Sequence, residues 1–356
     1  MNILLWGTGQ GAKNYLKNGN INNDTIIGYV ENNSNKWGVT IEGKMVYSPE
    51  QISDLEFDKI IICSDIYFEN IKKQCNLQLN IPDEKIADRW SGLKEIMIQK
   101  YKDNPEQQIQ ETLTYWKTHQ LSVFNQFKDD ENETYSEVIW DSVENMPYIM
   151  FENKKMYFPP DYRFYKKDGK QYVKDILSEQ VLQSPHLYTK SDHDIKPGCV
   201  MVDAGVCEGN FALRFIDIVS KIYLIEPNRK WLEALRLTFQ KYTNKVVFCE
   251  KMLSKENTKN SITLDTLVEE NIDFLKMDIE GSEINALLGG GDILRKSNAF
   301  CSICSYHNSN DEKYIRFILE SYGYKTDTSN GYMIFIHDPD IFDKADFRKG
   351  MVYAKK

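Results

Sequence analysis

Acidic side chains follow several short apolar runs in the carboxyl-terminal half of the chain. Asp203 comes directly after one such run, and Glu226 comes directly after the next. In an open α/β sheet, ligands bind at the carboxyl ends of the strands. An acid at the end of the second strand can accept hydrogen bonds from ribose hydroxyls. The pattern therefore predicts a site for a nucleoside-containing ligand, with Glu226 as the ribose acceptor.

Two glycines lie between Asp203 and an amphipathic segment, in the order Asp-x-Gly-x-x-x-Gly with Gly205 and Gly209. Glycines let a ligand approach the backbone, and a helix that begins there offers unpaired N–H groups. The turn lacks the Gly-x-Gly-x-x-Gly order that holds a pyrophosphate. It therefore favours S-adenosylmethionine over NAD, with Asp203 fixing the turn and binding a water or the methionine ammonium. The alternative is an α/β domain with a glycine turn and no ligand.

A second group of ionisable side chains follows two later apolar runs. Asp278, Glu280 and Glu283 come after one run, and His307 comes after the other. Group transfer to an alcohol requires a base for the hydroxyl proton, and an imidazole titrates near neutral pH. Asp278, Glu280 and His307 are therefore predicted to be catalytic. Glu283 is a further candidate base, or alternatively an acid that favours a helix N-terminus. Asp278 and Glu280 also offer oxygen ligands to Mg²⁺, but this cluster alone does not favour a metal, and none is predicted.

Five ordered sequence blocks resemble the FkbM-type S-adenosylmethionine-dependent methyltransferases. The blocks are Leu224–Asn228, Ser261–Leu267, Lys276–Glu283 with Leu287–Gly289, Ser305–His307 and Leu319–Tyr324. The resemblance covers roughly residues 150–340. It implies the α/β fold of a Rossmann-like class I methyltransferase with a seven-stranded sheet. It also implies S-adenosylmethionine as cofactor, S-adenosylhomocysteine as product, and O-methylation, often in glycan or natural-product assembly.

The order of the strands and this resemblance together predict which side chains surround the cofactor. Met252 and Leu253, just past the third strand, are expected at the adenine. The predicted cofactor-binding residues are Asp203, Gly205, Gly209, Glu226, Pro227, Asn228, Met252, Leu253 and Asp278. The chain departs from the family at the first turn, which usually reads Gly-Ala-Asn-x-Gly, because Cys207 replaces the asparagine.

The pattern at the amino terminus predicts another unit of strand, glycine turn and helix. Gly7, Gly9 and Ala12 match Gly-x-Gly-x-x-Ala, and the next strand ends at Glu31, where a ribose contact would lie. This unit is a smaller Rossmann-like parallel sheet. It resembles the small domain found beside sugar acyltransferases and sugar methyltransferases, which is associated with nucleotide-linked sugars. The alternatives are a purely structural or dimerising role.

The resemblance of the small domain favours a sugar or polysaccharide precursor, such as a nucleotide-linked sugar, as the methyl acceptor. Other readings stay open: N-methylation, methylation of a non-sugar metabolite, or a non-catalytic scaffold that binds S-adenosylmethionine, which Cys207 alone favours. An NAD(H) enzyme at the amino terminus would need a second mononucleotide half, and we find none in the sequence.

The pattern predicts a nucleotide-binding-like domain over residues 1–90, a helical connector over 91–146 and a methyltransferase domain over 147–356. In the last, strands are predicted at 199–203, 221–226, 245–250, 272–278, 299–305, 323–327 and 332–337. Helices are predicted at 210–219, 230–242, 264–269, 282–288 and 312–321. The last two strands are expected to form a hairpin that turns at Ser329–Gly331, because Asn-Gly is a strong turn signal.

Composition excludes some partners. The 356 residues carry a net charge of −9, with basic residues scattered rather than clustered, which disfavours nucleic acid. No run of 18 apolar residues and no leader pattern is visible, so a cytoplasmic protein without a membrane span is expected.

The seven cysteines are mostly predicted to be small buried hydrophobic residues. Cys301 and Cys304, three apart on a strand, point to opposite faces and cannot readily share a metal. The oligomeric state, including a homodimer, stays open.

Overall fold

The computed structural model describes residues 1–20, 22–117, 119, 121, 123, 137–160, 172, 173, 176, 177, 179, 180, 184–191 and 193–356. The chain divides into two compact units. The first comprises Met1–Asn125 and Pro339–Asp346, and the second comprises Gln126–Asp338 and Phe347–Lys356. The helices of the expected connector thus group with the amino-terminal unit. Part of that connector lies outside the described residues, and the domain boundaries at 90 and 146 stay a prediction.

The first unit is built on a six-stranded sheet with the order β3-β4-β2-β1-β5-β6. Its strands are β1 (Asn2–Trp6), β2 (Thr25–Val30), β3 (Thr40–Ile41), β4 (Lys44–Tyr47), β5 (Lys59–Ile62) and β6 (Ile86–Asp88). All neighbours are parallel except β3 and β4, which form a hairpin. The helices are Gln10–Asn14, Phe68–Gln78, Ser91–Tyr101, Gln107–Tyr115 and Ile341–Lys344, with shorter helical turns at Tyr15–Gly19, Ser34–Lys36, Pro49–Asp54 and Asp83–Lys85.

Both faces of this first sheet are buried. Leu4 and Trp6 pack into one apolar cluster, whereas Ile3 and Leu5 pack into another on the opposite face. Successive side chains of a strand alternate between faces, so a strand that is covered on both sides reads as a continuous apolar run. This explains why the amino-terminal segment consists almost wholly of apolar residues.

The second unit is built on a seven-stranded sheet with the order β12-β11-β10-β15-β16-β18-β17. These strands are β10 (Val200–Ala204), β11 (Lys221–Ile225), β12 (Val246–Cys249), β15 (Phe274–Met277), β16 (Phe300–Cys304), β17 (Lys325–Thr328) and β18 (Met351–Lys355). The first five in this order are parallel, whereas β18 is antiparallel to both of its neighbours. The predicted fold class, a class I methyltransferase sheet with a smaller amino-terminal sheet, is confirmed.

Helices of the second unit follow most strands, as predicted. They are Asn210–Phe215, Arg229–Thr238, Leu264–Leu267, Glu283–Leu288, Gly291–Lys296 and Asp311–Ser321, with a single turn at Gln240–Tyr242. Two small sheets complete the described part: β7 (Ile139–Asp141), β8 (Met146–Phe151) and β9 (Lys154–Tyr157) are antiparallel, and β13 (Met252–Leu253) pairs with β14 (Ser261–Ile262). Among the described residues, we find no helix with the length and hydrophobicity needed to cross a membrane.

The predicted strand at 332–337 and its hairpin are wrong. In that stretch only Met333 makes a β-bridge, to Arg348, and the strand that pairs with β17 is β18. Both segments are rich in apolar residues, but β18 has four buried residues in succession and pairs with both β16 and β17. Arg348, which precedes β18, instead donates to the carbonyls of Tyr306 and His307 in the loop after β16.

Candidate active site

The glycine turn after β10 is a point where three strand ends meet. Gly205 has φ +77, and a Cβ atom at this position would lie 1.7 Å from the carbonyl oxygen of Asp278. Its N–H donates to the carbonyl of Ile225 at 2.9 Å. Gly209 has φ +81, and a Cβ there would meet the end of the Leu235 side chain at 2.7 Å. Close packing against backbone therefore requires Gly205, whereas the left-handed backbone conformation favours glycine at position 209.

Glu226 connects this turn to the loop after β11. The residue is buried, and its Oε2 accepts the N–H of Cys207 at 3.1 Å, while Oε1 accepts the N–H of Asn228 at 2.9 Å. Cys207 has φ +47, and its backbone N–H is the donor to this carboxylate. Each carboxylate oxygen keeps a further lone pair for a ligand hydroxyl.

The loop after Glu226 starts the next helix. Pro227 leads to Asn228, whose side chain accepts the N–H of Lys230 at 3.1 Å and caps the helix Arg229–Thr238. Beyond β12, Met252 is half exposed, whereas Leu253 is buried in the core. Of these two predicted adenine neighbours, Met252 therefore has the apolar surface that a ligand can reach.

Asp203 does not face open space. Its carboxylate lies 3.0 Å from the Lys276 ammonium, and both side chains are at most 3% exposed. Burial raises the pKa of Asp203, although the charge of Lys276 opposes this effect. Burial lowers the pKa of Lys276, but the charges of Asp203 and Asp278 outweigh it and the net shift is upward. Lys276 also donates to the carbonyl of Gly205, so the pair fastens the turn to β15.

Asp278, at the end of β15, is the centre of a polar cluster. Its Oδ2 accepts the hydroxyl of Tyr188 at 2.8 Å and lies 3.2 Å from Nε2 of His186. Its Oδ1 accepts the hydroxyl of Tyr306 at 3.3 Å and lies 3.5 Å from Nε2 of His307. Two phenols and two imidazoles thus converge on one carboxylate that is 16% exposed.

The electrostatics of the cluster favour an ionised Asp278. Burial raises its pKa, but the hydrogen bond and charge of His186, with the charge of Lys276, outweigh burial and hold the pKa well below its usual range. Burial likewise lowers the pKa of His186, but Asp278 and Glu179 outweigh it and raise the pKa to about 9. Both shifts favour the charged forms of His186 and Asp278.

His307 is buried rather than solvated. Nδ1 of its ring lies 3.2 Å from Oε1 of Glu283, and Nε2 lies 3.6 Å from Oε2 of Glu280. Burial lowers its pKa, but Glu283 and the other carboxylates outweigh this effect and the pKa is raised. The backbone of the loop is fixed by Arg348, which donates to the carbonyls of Tyr306 and His307.

Glu280 and Glu283 have different surroundings although they are close in sequence. Glu280 has φ +55, and its side chain is 86% exposed. Glu283 is 1% exposed, and its Oε1 accepts the N–H of Ile279 at 2.8 Å. Glu283 therefore does more than favour the helix N-terminus: it fixes the loop after β15 and faces His307.

The predicted second site lies at the carboxyl ends of β1 and β2. Gly7 has φ +109, Gly9 lies in open space, and Ala12 is buried. Glu31 accepts the Thr8 hydroxyl at 2.8 Å and lies 3.0 Å from the Lys36 ammonium. The tightest approach is at Gly11, where a Cβ would lie 1.9 Å from the carbonyl oxygen of Cys63.

Sequence reasoning missed His186, Tyr188 and Gly11. The first two reach Asp278 from a segment without regular periodicity, far from it in sequence. The available signal was the pair of polar aromatic residues in Pro185–Tyr188, in the stretch that precedes β10. Gly11 directly precedes Ala12, the last position of the Gly-x-Gly-x-x-Ala motif. Only its close approach to the carbonyl of Cys63, just after β5, shows why a glycine is needed there.

Comparisons with known proteins agree with this fold. Residues 240–326 match the Methyltransferase FkbM domain model, and residues 1–87 match the model described as C2185-like, N-terminal. No curated protein sequence matches the chain. The methyltransferase FkbM from Methylobacillus flagellatus KT is 15% identical, with a TM-score of 0.50, over 99% of this chain and 89% of that chain.

A second solved structure resembles only part of the chain. The magnesium protoporphyrin IX methyltransferase from Synechocystis PCC 6803 is 15% identical, with a TM-score of 0.32, over 45% of this chain and 71% of that chain. The segment that matches the FkbM model contains Asp278, Glu280, Glu283 and His307. Residues 240–326, within the carboxyl-terminal unit, are therefore similar to the FkbM methyltransferase domain.

Proposed function

We propose that this chain methylates a hydroxyl group of a sugar or polysaccharide precursor with S-adenosylmethionine. The observation that carries the proposal is Glu226, a buried carboxylate at the end of β11 that spans two loops and keeps free lone pairs. Ribose hydroxyls are the ligand groups that suit such a carboxylate at this position. Asp203, Gly205, Gly209, Pro227 and Asn228 shape the turn and loop beside it.

The residues present fit the cofactor. S-adenosylmethionine carries a cationic sulfonium and supplies an electrophilic methyl group, so the protein mainly aligns the acceptor oxygen with it. The ionised Asp278 provides negative charge beside that position, and the half-exposed Met252 offers an apolar contact for adenine. Asp278 and Glu280 follow β15, His307 follows β16, and the three side chains lie close together, where they handle the proton of the acceptor hydroxyl.

The acceptor class is proposed from the first unit. Its turn at Gly7 and Gly9, with Glu31 at the end of β2, suits a nucleotide-linked sugar. Lys36 already pairs with Glu31, and it is a cation that a diphosphate could attract. The net charge of −9 disfavours nucleic acid as the acceptor. We also propose the cytoplasm as the location of the reaction, because both proposed ligands are cytoplasmic metabolites.

Calorimetric titration with S-adenosylhomocysteine tests the proposal. The wild-type chain should bind one equivalent, and Glu226→Ala should weaken binding at least tenfold, because the ribose loses its acceptor. The matched control is Glu233→Ala, an exposed acid on the following helix, which should bind normally. Unchanged affinity for S-adenosylhomocysteine in Glu226→Ala would contradict the assignment of Glu226 to the ribose. If the wild type does not bind S-adenosylhomocysteine, the proposed function is wrong.

Nucleotide-linked sugars and NAD belong in the same titration series. A nucleotide-linked sugar that binds without displacing S-adenosylhomocysteine would support the acceptor class and a second site. Weaker binding of that sugar in Glu31→Gln would assign it to the first unit. Saturable binding of NAD, without any binding of S-adenosylhomocysteine, would contradict the methyltransferase proposal.

A further inference from the structure

We propose that Glu283 is a positioning residue that keeps the His307 proton on Nδ1, so that Nε2 is the base for the acceptor hydroxyl. This inference rests on the proposed function, because it names the atom that takes the acceptor proton. Nδ1 of His307 lies 3.2 Å from Oε1 of Glu283, and both side chains are at most 3% exposed. A carboxylate beside one ring nitrogen favours the proton there, and the other nitrogen then presents its lone pair.

Glu283 has a fixed place after β15. Its Oε1 accepts the N–H of Ile279 at 2.8 Å, and the residue begins the helix Glu283–Leu288. Gly281, with φ +89, brings the loop after β15 close to the loop after β16, because a Cβ at this glycine would lie 3.5 Å from Cβ of His307. The carboxylate is therefore held at the imidazole by the backbone around it.

The ring of His307 is also confined. Arg348 donates to the His307 carbonyl at 2.8 Å, and the ring of Phe335 packs edge-on against the imidazole, with the ring centroids 5.4 Å apart. Side chains in a closely packed interior occupy defined rotamers. The ring therefore keeps Nδ1, rather than Nε2, on the side of Glu283.

Nε2 of His307 is placed to accept a proton. This atom is buried and has no aligned hydrogen bond among the described residues. Buried polar atoms are nearly always hydrogen-bonded, and a catalytic role is one explanation for an exception. Nδ1 is not aligned for a hydrogen bond either, but hydrogen bonds of catalytic groups are often misaligned without substrate and tighten when it binds. The acceptor hydroxyl is therefore the partner of Nε2.

Asp278 and Glu280 are less suited to be the base. Oδ2 of Asp278 accepts the hydroxyl of Tyr188, and Oδ1 accepts that of Tyr306. Burial raises the pKa of Asp278, but His186 and other cations outweigh burial and hold it well below its usual range, so this carboxylate is a weak base. Glu280 is 86% exposed, so few contacts fix its carboxylate. Negative charge beside Nε2 instead stabilises the imidazolium that forms during proton transfer.

The transfer balances in atoms and charge. Nε2 takes the hydroxyl proton while the acceptor oxygen bonds to the methyl carbon. The C–S bond of the methyl donor breaks, and its electron pair stays on the sulfur. The imidazolium then releases its proton to water. The products are a methyl ether, S-adenosylhomocysteine and a proton.

The surroundings of His307 predict how its pKa depends on Glu283. Burial lowers this pKa, but the carboxylate of Glu283 and the charges of the other acids outweigh burial and raise it. Loss of the Glu283 charge should therefore lower the pKa. The charged and titratable groups that face His307 from the surrounding loops and helices are Glu283, Asp278, Glu280, Tyr306, Asp311 and Arg348.

The test is ¹⁵N NMR of the full chain, with multiple-bond correlation spectra that identify the protonated nitrogen of each histidine ring. The chain has five histidines, and the signals lost in His307→Gln assign this residue. In the neutral ring of the wild type, Nδ1 should carry the proton, whereas free histidine prefers Nε2. Glu283→Gln should lower the pKa of His307 by about 1 or more. Glu283→Ala should in addition move the proton to Nε2.

Two other acids provide the matched controls. Glu280→Gln removes a charge that faces Nε2, so it should lower the pKa of His307 but leave the proton on Nδ1. Glu269→Gln, an exposed acid elsewhere in the second unit, should change neither. A proton on Nε2 in the neutral wild type, or an unchanged pKa in Glu283→Gln, would overturn the positioning role. The wild-type spectrum decides this even if Glu283→Ala does not fold.

The outcomes separate this inference from the function on which it rests. Titration of the same samples with S-adenosylhomocysteine reports on the methyltransferase proposal alone. If the wild type binds S-adenosylhomocysteine but its neutral His307 carries the proton on Nε2, the role of Glu283 is rejected and the proposed function stands.

Discussion

Asp203 and Lys276 are register partners on the neighbouring parallel strands β10 and β15, and their charged groups meet 3.0 Å apart in the core. Neither is open to solvent, and Lys276 also holds the carbonyl of Gly205. A buried pair of this kind is costly to break on one side only, because the remaining charge loses its compensation. The pair therefore makes the geometry of the glycine turn depend on a residue of the neighbouring strand.

A double-mutant cycle on this pair should reveal strong coupling. Asp203→Leu and Lys276→Met should each lower the free energy of unfolding by about 3–5 kcal/mol, since each leaves one buried charge unpaired. The double variant should lose less than the sum of the two. Urea denaturation followed by circular dichroism measures these free energies. Additive losses would contradict the coupling.

Replacement of Gly205 should be far more damaging than replacement of another glycine with similar φ. Gly205→Ala places a Cβ against the backbone of Asp278, whereas Gly198, with φ +82, has open space around it. Gly198→Ala should cost only about 1–2 kcal/mol for the left-handed conformation. Thermal unfolding should show a clearly larger loss in Gly205→Ala, together with loss of S-adenosylhomocysteine binding. Equal unfolding temperatures would refute the packing argument.

The first unit offers a similar pair. Gly11→Ala drives a Cβ into the carbonyl of Cys63, whereas Gly9→Ala meets no atom within 4 Å and has an ordinary φ of −88. Overpacking should lower the stability of Gly11→Ala by about 1–3 kcal/mol or more. Gly9→Ala should change stability little. Denaturant titration of both variants decides this, and a stable Gly11→Ala would mean that the helix can move away from β5.

Removal of the Lys36 ammonium should raise the pKa of the Glu31 carboxyl group. Burial raises its pKa, but Lys36 and Thr8 outweigh burial, so the net pKa lies below the ordinary value of 4.5. A pKa that is lowered by folding contributes stability above the unfolded-state pKa, and this contribution is lost as the pH falls through the folded-state value. In Lys36→Met the pKa should rise, as a carbon-detected NMR titration of the Glu31 carboxyl would show. Lys102→Met, an exposed lysine of the same unit, should leave it unchanged.

The sequence predicted the parallel part of the large sheet because each strand is an apolar run bounded by turns and helices. It could not decide which of two apolar runs pairs with β17. The stretch at 332–337 and the stretch at 351–355 both suit a strand, and pairing depends on burial between β16 and β17. The prediction of the last strand was therefore wrong because both stretches have the same local pattern. Only long-range packing determines which of them pairs with β17.

Part of the site could be predicted because the order of the strands could be predicted. Topology brings strand ends together, so Asp278 and His307 could be placed near each other from sequence, and the structure puts them 3.5 Å apart. The partners of Asp203 and Asp278 could not be placed, because Lys276 follows from strand register and His186 comes from an irregular segment. Residue types alone suggested that Asp203 fixes the turn and binds a water or the methionine ammonium, but they did not reveal its ion pair with Lys276.

The position of β18 has a consequence for synthesis of the chain. β16 and β17 are both made before the strand that lies between them, so neither can pair on that side until Met351–Lys355 has emerged from the ribosome. Until then, both strands present unpaired backbone groups, which is the state in which sheets associate with other chains. A nascent chain is therefore prone to aggregate through these two strands during the interval in which β16 and β17 are exposed and β18 has not yet emerged.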